Sequence, residues 1–124
     1  MSEPTWLDVD EIIDMHALQL AMFGGAEGVR DRGFLESAVL RQVNQWHHGQ
    51  TDLAALAAAY AFGLARNERI AFHAMMVFLR VNGIAFAPQP AHATAIILSL
   101  AAGEVSEESL TRWIRDNWPR QAGG

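Results

Sequence analysis

Residues 52–83 read DLAALAAAYAFGLARNERIAFHAMMVFLRVNG, and how this stretch is read decides the fold. Two helical arms meet within it at Arg66-Asn67-Glu68-Arg69. The first sets Leu53, Leu56, Ala57, Tyr60, Ala61 and Leu64 at helical spacing, which makes one apolar stripe. The second, Arg69 to Asn82, sets Phe72, Met75, Met76 and Leu79 on one face and Val77, Phe78 and Val81 on the others. A helix that is apolar nearly all round is normally buried, so residues 69–82 are expected to form the central helix of the core. No Pro or Gly breaks the junction between the arms.

Composition frames these arms. The 124 residues suit a single domain, 1–124, with a core of its own. Hydrophobic residues make up 51% and charged residues 19%, the balance of an ordinary globular chain. There is no cysteine, which excludes a disulfide framework and thiolate chemistry and fits a reducing cytoplasm. The opening Met-Ser-Glu-Pro-Thr carries neither the basic nor the apolar region of a signal peptide. The longest apolar run, 53–65, is shorter than the roughly 18 residues that suggest a membrane span. A net charge of -5 argues against general nucleic-acid binding, because phosphate contacts need a basic face. The expectation is a cytoplasmic protein with no membrane partner.

Four more helices are expected around the arms. Leu7 to Phe23 reads as the first, with Asp8 and Glu11 as a capping box and Gly24-Gly25 as the stop. Gly33 to Val43 reads as the second, Trp46 to Gln50 as a connector, and Thr51 or Asp52 as the cap of the first arm. Ile84 to Ala87 is too short for a helix and precedes Pro88, which suggests an extended turn or one short strand. Pro90 opens the next helix, and Ser106-Glu107-Glu108 caps the last, whose stripe is Leu110, Trp113, Ile114 and Trp118. The fold class is all-α: a compact bundle of six helices, with an optional short strand near 84–87.

Residue chemistry taken singly points nowhere. His47 and His48 are adjacent, so on a helix they would not face one another, and no third ligand stands at metal spacing. His16 falls on the apolar face of the first helix and reads as a core histidine. Glu107 and Glu108 read as helix-start acids, and His92 has no partner in view. Phosphate loops and the common hydrolase and metalloprotease motifs are absent.

Longer runs carry a resemblance. Trp6-Leu7-Asp8, then GGAEGVRDRGFLESA over 24–38, resembles the N-terminal half of the death-on-curing (Doc) toxins, the small branch of the Fic/Doc fold. Asp52 to Asn67 resembles the helix leading into that family's active loop, and Arg69 to Gly83 the helix leaving it. Ala101-Ala102-Gly103-Glu104-Val105-Ser106 resembles the junction before the family's last helix. Such a resemblance implies a Fic/Doc-like bundle and transfer of a phosphate or nucleotide from ATP, with Mg2+, to a hydroxyl of a translation factor. It also implies inhibition of that toxin by a Phd-like antitoxin, whose tail folds as a helix into a groove.

The family's motif, His-x-Phe-x-Asp-Gly-Asn-Lys-Arg, belongs between the two arms. Its His serves as acid/base, its Asp helps hold the metal, and its Gly-Asn-Lys-Arg turn cradles phosphates at a helix N-terminus. Here Asn67 is followed directly by Glu68-Arg69, and about seven motif residues are missing. Arg69 lines up with the final Arg, Glu68 stands where Lys is expected, and His73 stands where these toxins place an Asn near the phosphates. These three are the vestigial phosphate-site candidates; no catalytic residue and no metal ligand is assigned. A deletion leaves the chain inactive and without ATP or Mg2+, whereas a segment merely left out of the written chain would leave the toxin chemistry whole. The alternative is a catalytically dead binding module that sequesters the antitoxin. A further expectation concerns shape. With no breaker at 66–69, residues 53–82 could fuse into one helix and send an arm into a second molecule, giving a domain-swapped homodimer.

Overall fold

Six helices form in a computed structural model that describes residues 2–23, 32–65 and 68–119. They are α1 (Val9–Phe23), α2 (Arg32–His47), α3 (Leu53–Gly63), α4 (Glu68–Val81), α5 (Pro90–Ala101) and α6 (Glu107–Asp116). The all-α bundle read from the sequence is what the chain builds. The expected stop at Gly24-Gly25 lies outside the described residues.

The helix starts obey their caps. Asp8 Oδ1 accepts from Glu11 N–H at 2.9 Å and Glu11 Oε1 accepts from Asp8 N–H at 3.2 Å, the reciprocal bonds of a capping box. Asp52 accepts from Ala54 N–H at 3.0 Å, and Ser106 accepts from Ser109 N–H at 3.0 Å. Pro90 sits in the first turn of α5, where its missing N–H costs nothing.

One boundary differs from the sequence reading. Helix α2 runs on to His47 and takes in Trp46 and His47, which had read as a connector. It stops at Gly49, whose φ of +104° reverses the chain. Gly49 N–H then bonds Trp46 C=O at 3.0 Å and Gln50 N–H bonds Gln45 C=O at 2.9 Å. The apolar period, read through Leu35, Ala38, Gln42 and Trp46, does continue to this point.

Burial distributes unlike the expectation for the two arms. α3 is enclosed by α2, α4 and α6, and Ala54, Leu56, Ala57, Ala58, Ala59, Tyr60 and Ala61 are all buried. Its alanines permit this, because small side chains let three neighbours approach one helix. α4 buries Ile70, Ala71, Ala74, Met75, Phe78 and Leu79 but leaves His73, Arg80 and Val81 in solvent. The core is therefore centred on the α3–α4 pair, with α1 and α5 packed on α4.

The continuous helix over 53–82 does not form. α3 ends at Gly63, α4 begins at Glu68, and the Tyr60 and Phe78 rings pack 4.9 Å apart within one chain. Straightening the junction would pull these faces apart and expose Leu64 and Ile70, each only 2% accessible here. Lost burial outweighs a few added helical hydrogen bonds. The premise for swapping an arm is removed with it.

The short strand near 84–87 does not form either, and no strand occurs among the described residues. That segment has no parallel or antiparallel neighbour. Instead Phe86 plugs the core, with its ring edge-on to Trp113 at 5.7 Å. The N-terminal residues are tied across the bundle. Tyr60 Oη accepts from Leu7 N–H at 2.9 Å and donates to Leu7 C=O at 3.3 Å. Asn82 brackets Thr5 through bonds of 2.8 and 2.9 Å, and Trp6 stacks on Phe78 with ring centroids 5.7 Å apart.

Candidate active-site junction

The turn between α3 and α4 is where the sequence directs attention, and the fold brings it to one end of the central helix pair. α3 winds up through Leu64, whose N–H bonds Tyr60 C=O at 3.1 Å, and Ala65, whose N–H bonds Phe62 C=O at 3.4 Å. Arg66 and Asn67 lie outside the described residues. α4 then starts at Glu68, so the family's phosphate position corresponds to a helix N-terminus, where free N–H groups and the helix dipole favour an anion.

Of the three vestigial candidates, Glu68 and Arg69 have a described backbone at the start of α4, while their side chains lie outside the described residues. His73 is exposed on α4. It stands five residues from the start of the helix, about 7 Å along the axis at 1.5 Å per residue. That distance sets the imidazole well above the N-terminal N–H groups, and nothing printed by the fold brings it to them. The buried residues Ile70, Ala71 and Ala74 and the Phe72–Trp113 ring contact at 6.5 Å hold this end of α4 in the bundle.

The other singled-out residues take structural places. His16 is buried, as its position on the α1 face implied, and His92 is exposed in the first turn of α5. His47 lies 3.6 Å from Glu3, and His48 Nδ1 lies 2.7 Å from Asn44 C=O. Among the described residues no group of three His, Cys, Asp or Glu side chains is placed to hold a metal. Glu107 does more than start a helix, since its carboxylate receives both Arg41 and Gln45 and so ties α6 to α2. Arg41 also lies 5.5 Å over the Phe62 ring, near the end of α3.

A second opening lies at the far end of α3 from the junction. It encloses about 770 Å³ and is lined by Gln45, His48, Glu107, Glu108, Arg112 and Arg115, among others. Its acids and arginines largely answer one another: Arg41 pairs with Glu107 and Arg115 with Asp52. The sequence reading did not find this groove, because its walls come from three helices far apart in the chain.

No family model matches the chain. A curated phage protein does. The chain is 30% identical, over 114 aligned residues, to the protein kinase Doc of Escherichia phage P1, across 86% of this chain and 90% of that protein. The chain belongs to the Doc family. Within a Doc-family frame, α3 and α4 are the helices that flank the motif position, and the residues between them are Leu64 to Asn67. Whatever the Doc scaffold positions for chemistry must be carried at this junction, and the chain passes through it without a histidine or an aspartate. No described helix is long and apolar enough to cross a membrane.

Proposed function

We propose that the chain is the toxin member of a toxin–antitoxin pair whose phosphate-transfer centre is incomplete as the sequence stands. The observation that carries this is the junction itself: a Doc-family scaffold with both flanking helices in place, and Asn67-Glu68-Arg69 where the motif belongs. The relative's name, a protein kinase, supports phosphate transfer from ATP as the ancestral chemistry. The alignment supports a local loss. It spans 114 positions but only 86% of this chain, about 107 of its 124 residues, so about seven positions have no counterpart here.

The residues present do not suit ATP with Mg2+. General acid/base work needs a titratable group within hydrogen-bond reach of the hydroxyl, and His73 is displaced along α4. Glu68 at the lysine position adds a negative charge beside the site meant for phosphates. No step is therefore derived through the nucleotide. The chain is read as cytoplasmic, with an antitoxin of the Phd type as partner and a translation factor as the substrate of an intact homologue.

The test begins with intact mass, which should match 13.6 kDa. The purified chain is then incubated with labelled ATP, Mg2+ and a translation extract, and no protein should acquire label. Grafting the family's loop between Asn67 and Glu68 together with Glu68→Lys should restore transfer. Label transfer by the unaltered 13.6 kDa chain would overturn the reading, and a heavier mass would place an intact loop in the protein.

A second reading, a binding module that titrates an antitoxin, draws on exposed apolar side chains of α1 and α2. Leu18, Met22 and Leu40 are 56%, 63% and 53% accessible, and Leu18 and Met22 stand one turn apart on α1. Under this reading Leu18→Asp with Met22→Asp abolishes antitoxin binding and leaves the fold intact.

A further inference from the structure

Between α4 and α5 the backbone crosses the surface from Gly83 to Gln89 without forming helix. Two of its amides are engaged: Ile84 N–H with Leu79 C=O and Phe86 N–H with Ile84 C=O, both at 2.9 Å. Among the described residues, the N–H and C=O groups of Ala85 and Ala87 make no hydrogen bond. Exposure alternates along the segment, with Ala85 out, Phe86 in and Ala87 out. Phe86 holds it fast against Trp113, so this is a fixed edge with pairing groups at alternate residues, the pattern to which an added strand bonds.

Beside the edge lies a hollow of about 430 Å³ lined by Arg80, Gly83, Ile84, Ala85, Phe86 and Ala87. Its electrostatics are unusual for this molecule. On a chain of net charge -5, residues 69–103 contain no Asp or Glu. Arg32, Arg41 and Arg115 each sit on a carboxylate, whereas exposed Arg80 makes no ion pair among the described residues. The hollow thus combines an apolar lining, open main-chain groups and an unneutralised guanidinium.

We infer that this edge docks a short extended segment of a partner protein that carries an acidic side chain. Main-chain groups of the segment pair with Ala85 and Ala87, a small apolar residue enters the hollow against Ile84 and Phe86, and the carboxylate meets Arg80. The edge is independent of the α3–α4 junction, which lies at the opposite end of α4, so it stands whether or not the chain transfers phosphate.

The probe is a capped seven-residue peptide of alternating valine and threonine with one central glutamate, titrated into the full-length ¹⁵N-labelled protein. Amide shifts should concentrate at residues 80–87. Replacing the peptide glutamate by glutamine, or making Arg80→Gln in the protein, should each weaken binding about threefold, the size of an exposed ion pair. Combining the two changes should add little further loss. N-methylation of the peptide's pairing edge should abolish binding. The proposal is overturned if Ala85 and Ala87 do not shift at millimolar peptide, or if binding ignores both Arg80 and the peptide charge. It is also overturned if the same amides shift with protein concentration alone, which would make a second copy of the chain the occupant.

Discussion

Removing one oxygen atom, by Tyr60→Phe, tests the packing of the N-terminal residues against the core. The Tyr60 hydroxyl is buried and makes two bonds to the backbone of Leu7, itself 1% accessible. The phenylalanine ring keeps the contact with Phe78 but leaves a buried N–H and a buried C=O without that partner. Each orphaned group costs about 1–3 kcal/mol, with the longer 3.3 Å bond at the low end. The sum is about 2–4 kcal/mol, a Tm fall on the order of 10 °C for a domain of this size. Burial also pushes the Tyr60 pKa up from 10.0 to about 12, so the folded state holds its proton where the unfolded state has lost it. The contribution is complete below pH 10 and is lost as pH rises through about 12. The total is about 3 kcal/mol, from two pH units at 1.36 kcal/mol each. Tyr60 is the only tyrosine in the chain, so tyrosinate absorbance reports this group alone. Urea denaturation at neutral and alkaline pH, on parent and variant, completes the measurement. The reasoning fails if Tyr60→Phe changes stability by less than about 0.5 kcal/mol, or if the folded protein's tyrosine ionises near its ordinary value.

Three further outcomes follow from the same structure. Phe78→Ala opens a cavity between Trp6 and Tyr60, which both pack on its ring, and should cost about 3–5 kcal/mol in chemical denaturation. Gly63→Ala places a methyl group 3.5 Å from the Ala38 side chain, ordinary contact, within the last turn of α3; it should raise stability by about 0.4–1 kcal/mol by calorimetry. Gly49→Ala forces a side chain into φ +104° at the end of α2 and should lower stability by about 1–2 kcal/mol, although open space surrounds the new methyl group.

What the sequence by itself determined is the set of local signals. The Asp8–Glu11 box, the Asp52 and Ser106 caps and the Pro90 start are satisfied within a few residues of where they are written, so their bonds form wherever the helices form. The loss at the α3–α4 junction is equally legible, because the flanking runs of a Doc-family chain leave a definite place for residues that are not there. The tertiary structure decided what depends on partners distant in the chain. Glu107 reads as a helix-start acid until α2 brings Arg41 and Gln45 to it. The α3 alanines read as one stripe until three helices close around them, and the junction reads as continuous helix until Tyr60 and Phe78 meet. Helical spacing places a side chain on a face, but the neighbour that covers that face comes from residues tens of positions away. Burial among such neighbours overrides the local preference to continue a helix.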